Sequence, residues 1–206
     1  MYIPNSFKDN YKKKLIIFLH GSGSDDTSAF NNEIYVKLAE EHNAIIAAPF
    51  ARGTSHGYCP KECLEDIVEI TNKLASIFSF DENQIFLCGF SMGGYGVLRV
   101  YDYCPQIFYG IIMLSGHYNI PSMFSIEGGP NYLEEQNIIK FSKLPMIIFH
   151  GRKDMNCSYE EMITFINKIQ KINPRVCVDI DDDIGHSDLN FSWYKKLGEW
   201  LNCNYL

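Results

Sequence analysis

The chain has 206 residues, 46% hydrophobic and 21% charged, with a formal net charge of −7. That composition supports a buried core in a single domain over residues 1–206, at about 150 residues per typical domain. Its acidity argues against a nucleic-acid surface, and no apolar run reaches the roughly 18 residues of a membrane span.

The N-terminal residues 1–6 lack the basic and apolar regions of a signal peptide. The run Lys12-Lys13-Lys14 abuts an apolar stretch and reads as a solvated strand start. Strands are predicted over 15–19, 44–48, 84–88, 110–114, 146–149 and 176–180. Most are continuously apolar, as in strands covered on both faces of a parallel sheet.

Helical patterns alternate with these strands. They cover 31–41 and 92–101, the stripe Leu64, Ile67, Val68, Thr71, Leu74 and Phe78, the stripe Tyr159, Met162, Ile163, Ile166 and Ile169, and a last segment with Phe191, Tyr194, Leu197, Trp200 and Leu201. The expected class is α/β, with a mainly parallel central sheet of six or seven strands and helices on both faces. Sites in such sheets form beyond the carboxyl ends of the strands.

Gly89-Phe90-Ser91-Met92-Gly93-Gly94 follows one strand and opens a helix. A strand–turn–helix with serine between two glycines projects the hydroxyl from a strained apex. A neutral serine needs a base. Of six histidines, His186 in Gly185-His186-Ser187-Asp188 stands between the last strand and last helix. His42 is expected to end a helix and face solvent, while His20 and His150 end strands and are expected to be buried beside the site. Asp154, in His150-Gly151-Arg152-Lys153-Asp154, occupies another carboxyl-end loop and suits the residue that orients a base. Its alternative role is a cap for the helix near Ser158. Asp179 to Asp183 read as an acidic strand exit, and Asp188 as a first-turn helix residue.

An oxyanion needs backbone donors. The Met92 N–H directly follows the serine. The Ser22 N–H lies in Leu19-His20-Gly21-Ser22-Gly23-Ser24-Asp25, a glycine-rich turn lacking the Lys-Ser/Thr of a phosphate-binding loop.

Together these pieces resemble serine hydrolases of the α/β-hydrolase superfamily. They are Phe18 to Gly21, Ala48-Pro49 with Arg52-Gly53, Gly89 to Gly94, His150-Gly151 with Asp154, and Gly185-His186, in the superfamily's order across about 15–190. The nearest likeness is to compact phospholipase/carboxylesterases, including acyl-protein thioesterases. Dienelactone hydrolase-like proteins and predicted peptidases are also similar. The chain departs in carrying Met92 where thioesterases usually have glutamine, and Ser91 where dienelactone hydrolases have cysteine. The superfamily's first two strands are absent or reduced.

The resemblance implies cleavage of a small ester, thioester or amide by Ser91, His186 and Asp154 without metal or organic cofactor. Arg52, Tyr58 and Tyr118 are candidate substrate contacts, and 115–143 a candidate flap. The seven cysteines are scattered. Cys88 and Cys177 lie in apparent core strands, and Cys59 and Cys63 lack further zinc ligands, which together indicate a reduced, cytoplasmic protein.

Overall fold

A computed structural model describes residues 1–9, 12–119 and 129–203. The strands are β1 (Lys14–Leu19), β2 (Ala44–Ala47), β3 (Ile85–Phe90), β4 (Gly110–Leu114), β5 (Met146–Gly151) and β6 (Val176–Asp181). They form one parallel sheet in the order β2-β1-β3-β4-β5-β6. Outside β2, Tyr2 makes a single antiparallel bridge to Ile46.

The helices are α1 (Glu33–His42), α2 (Lys61–Ile77), α3 (Met92–Tyr103), the short α4 (Glu135–Ile138), α5 (Tyr159–Ile169) and α6 (Phe191–Asn202). Alternation along the strands divides the core. Leu15, Ile17 and Leu19 face a cluster that includes Leu64, Val97, Phe165 and Ile166 of α2, α3 and α5. Ile16 and Phe18 face the other side, against Tyr35 and Leu38 of α1 and Trp193 and Leu197 of α6. Each such buried aliphatic or aromatic side chain contributes about 1.5–3 kcal/mol over its exposed state. Two-sided coverage therefore explains the unbroken apolar runs.

Three expectations need correction. Cys177 is exposed because β6 is an edge strand with one flank unpaired. Lys13 and Lys14 are buried, so the basic run is not a solvated start. Lys14 Nζ donates to the carbonyls of Lys12 and His42 and to Asn202 Oδ1, and burial, then the Lys12 charge, lowers it to about 8. His42 ends α1 as expected, but it is only partly exposed and packs over Gly198 and Tyr194 of α6. Of the expected flap, residues 120–128, including Met123, Phe124 and Gly128, lie outside the described residues. Within them, no helix is long and apolar enough to cross a membrane.

Candidate active site

Ser91 stands at the carboxyl end of β3 with φ 55° and ψ −115°, immediately before α3. Such a conformation persists only where surrounding contacts hold it. Here the Ser91 N–H donates to the Leu114 carbonyl, and the Ser91 carbonyl accepts from Gly94 and His117 N–H groups. The flanking glycines allow the tight turn. A Cβ on Gly89 would lie 2.1 Å from the Gly93 carbonyl oxygen, and one on Gly93 would lie 1.9 Å from that of Leu19.

The loop between β6 and α6 brings His186 to Ser91. Its Nε2 is 3.0 Å from Ser91 Oγ, and its Nδ1 is 2.9 Å from Asp154 Oδ2. An ionised carboxylate only accepts hydrogen bonds. The proton therefore sits on Nδ1, leaving Nε2 to accept from the serine hydroxyl. Two backbone bonds tie the His186 loop to the Asp154 loop: Arg152 N–H to the Asp181 carbonyl, and Lys153 N–H to that of Ile184. The Phe90 ring lies 4.9 Å from the imidazole, centroid to centroid.

Asp154 is not the α5 cap, since Ser158 fills that place by accepting from Glu161 N–H. Instead Asp154 Oδ1 accepts from Asn156 and Cys157 N–H, which fixes the carboxylate and leaves Oδ2 to His186. Burial pushes the Asp154 carboxyl up, but the hydrogen bonds from His186, Cys157 and Asn156 outweigh it and hold the group below its ordinary value. The rival carboxylates lie elsewhere. Asp179 pairs with Lys196, while Asp182 and Asp183 are exposed partners of Arg152 and Lys153. Asp188 precedes α6 rather than lying in its first turn, and Asn190 caps that helix.

His20 and His150 are buried as expected. His150 Nε2 donates to the Cys157 carbonyl and lies 3.7 Å from Asp154 Oδ2. Burial lowers its pKa, opposed by the Asp154 charge and the Cys157 carbonyl. Two neighbours were not foreseen. Cys157 Sγ lies 4.0 Å from Ser91 Oγ, its thiol raised by burial. His117 follows β4, and burial, then the charge of His186, lowers it to about 4. The signal for both was their position in loops at carboxyl ends of strands. Among the described residues, Asp154, Cys157 and His186 form one group whose ligand atoms lie within 4.8 Å. An ion held by all three would have to compete with the Asp154–His186 hydrogen bond.

The β1 loop closes on the other side of Ser91. A Cβ on Gly21 would sit 3.3 Å from Ser91 Cβ. The Gly23 N–H donates to the Thr54 carbonyl, Ser24 N–H to that of Gly21, and the Ser22 and Ser55 hydroxyls are 2.9 Å apart. Ser22 thus stands in a braced turn beside the serine. Met92 opens α3, where an α-helix leaves its first N–H groups without intrahelical acceptors.

The expected substrate contacts fare differently. Tyr58 is fully buried, donating to the His20 carbonyl and packing where Gly96 leaves space, so it supports the β1 loop from beneath. Tyr118 is also fully buried, 4.6 Å from Phe165 between ring centroids. Neither side chain reaches the open face of the site. Arg52 is exposed and paired with Asp66.

A parallel sheet wound on both sides, with serine on the turn after β3, defines an α/β-hydrolase. Residues 52–204 match the model of the prolyl oligopeptidase family, and the chain belongs to that family. A search of curated proteins finds no match. Solved structures share the fold. One is FphF, a fluorophosphonate-binding serine hydrolase of Staphylococcus aureus (20% identity, 96% of this chain and 85% of that one, TM-score 0.70). Another is the Pyrococcus furiosus esterase Pf2001 (18%, 94% and 84%, TM-score 0.73). A third is acetyl xylan esterase from Aspergillus awamori (14%, 97% and 92%, TM-score 0.70).

Proposed function

We propose that the protein is a serine hydrolase that cleaves small carboxylic esters or thioesters through an acyl-serine intermediate. The observation that carries this reading is the unbroken hydrogen-bond chain from Ser91 Oγ through both nitrogens of His186 to Asp154. Ser91 Oγ attacks the acyl carbon as His186 Nε2 takes its proton, and Asp154 stabilises the imidazolium. The N–H groups of Ser22 and Met92 receive the oxyanion. Collapse expels the alcohol or thiol, which takes the proton from His186. Water, deprotonated by His186, then attacks the acyl carbon and frees Ser91.

Each proton is handled by the chain's own side chains. An alkoxide or thiolate leaves more readily than an amide nitrogen, which demands full protonation. Several structures with this fold are described as esterases. The second reading, hydrolysis of a peptide amide by the same residues, is favoured by the family's name.

A p-nitrophenyl ester series of increasing chain length, run beside an acyl-thioester and a peptide amide, separates the readings. Ester or thioester turnover should exceed amide turnover. Faster amide cleavage would overturn the first reading. A fluorophosphonate should label the wild type and not Ser91→Ala, and a folded wild type that stays unlabelled would remove the nucleophile.

A further inference from the structure

The segment from β6 to α6 that carries His186 has no regular structure and is tied down at both ends. Its first half is bonded to the Asp154 loop. Its second half is fastened to α1 and to that helix's N-cap, Asn32. Tyr35 Oη donates to Asp188 Oδ1 at 2.6 Å, and Asn32 Nδ2 donates to the Leu189 carbonyl at 2.8 Å. The same Asp188 oxygen accepts from Leu189 N–H, and Ser187 N–H donates to Ser115 Oγ.

Tyr35 is a rigid post, being fully buried and edge-on to Phe18 of β1 at 4.9 Å. Asp188 has no capping duty, because Asn190 caps α6. Among the described residues no lysine or arginine pairs with it, and its carboxylate is held by the neutral Tyr35 and Leu189 donors, two residues from His186.

We propose that Asp188, gripped by Tyr35, is a positioning residue that holds His186 in line between Ser91 and Asp154. This inference rests on the reading of His186 as base. Burial raises the Asp188 carboxyl, opposed by the Tyr35, Leu189 and Asn32 hydrogen bonds and by the charge of His186. Among the described residues, the charged or titratable groups around His186 include Asp154, Cys157, His150 and His117 on the β4 and β5 side and Asp188 on its own loop.

The test compares wild type, Tyr35→Phe, Asp188→Asn and Asp188→Ala by kcat, KM, melting temperature and the NMR resonance of the His186 Nδ1–H proton. Tyr35→Phe keeps the buried ring and loses only the donor. It should lower kcat about tenfold, the scale expected for a loosened base, with KM within about twofold. Asp188→Asn and Asp188→Ala should lower kcat similarly and weaken the downfield resonance of the His186 Nδ1–H, because a ring that drifts from Asp154 loses that hydrogen bond. If the variants lose thermal stability while kcat and the His186 Nδ1–H resonance stay at wild-type values, the residues are structural only and the proposal fails. Tyr35→Phe decides the matter if Asp188→Ala does not fold. The Nδ1–H resonance needs no substrate, so it still decides if no ester is turned over and the functional reading itself fails.

Discussion

Replacing Gly93 by alanine should separate the two sides of the proposed oxyanion site. The added Cβ would lie 1.9 Å from the Leu19 carbonyl oxygen and 2.9 Å from that of His20, both backbone atoms. Real Cβ atoms essentially never approach closer than 3.0 Å, so the start of α3 and the end of β1 must part by about 1 Å, an overpacking of about 1–3 kcal/mol. The same displacement carries Met92 N–H and Ser91 away from the Ser22 turn. A 1 Å misplacement of reacting groups costs about 10²-fold. We therefore expect kcat/KM on p-nitrophenyl acetate to fall about a hundredfold, with a lowered urea midpoint. Gly185→Ala is the control. It adjoins His186, but its added Cβ would meet nothing closer than Lys153 O at 3.5 Å, an ordinary contact. Its activity should stay within about threefold of wild type, since the site tolerates the methyl. If Gly93→Ala keeps wild-type activity and stability, the close approach of α3 to β1 is not what builds the site.

Asp154→Asn should reduce kcat by roughly 10³- to 10⁴-fold, because the amide no longer enforces the Nδ1 proton; near-full activity would pass the orienting role to another acidic residue. The folded Asp154 carboxyl lies below its ordinary 3.8. Its ionised form thus adds stability that is present above that value and lost as pH falls through the lower folded value. The wild-type advantage over Asp154→Asn in urea melts should shrink in acid, and a constant difference would contradict the assignment. Iodoacetamide at neutral pH should alkylate exposed Cys177 and Cys203 and spare Cys157, whose buried thiol is raised. Peptide mapping with parallel activity measurement checks this, and rapid loss of activity with Cys157 alkylated would refute it.

The strands β1 to β5 were legible because each is buried on two faces and reads as a short apolar run between turn residues. Ser91, His186 and Asp154 were legible for a related reason. Each follows a strand end, and the close backbone approaches there demand glycine, as at Gly89 and Gly93. The misread residues obey no such local rule. Tyr58 sits in a loop with candidate ligands but turns inward at φ 54°, into room left by Gly96 on a different element. Cys177 resembles a core residue in sequence but is exposed on β6, the last strand of the sheet among the described residues.

Lys14 was misread for the opposite reason. An ammonium at a strand start ordinarily faces water, yet here it meets the last carbonyl of α1 and Asn202 of α6, partners from two other elements. Asp188 is the clearest instance. Nothing in Gly-His-Ser-Asp separates a helix-start aspartate from one that bonds a tyrosine 153 positions earlier. Chemistry within one strand-end loop can therefore be read along the chain. The contacts that hold such a loop in register cross the fold, so they become visible only when α1 is laid beside the His186 segment. The consequence is that residues tuning this base should lie on α1, a helix that carries none of the expected catalytic side chains.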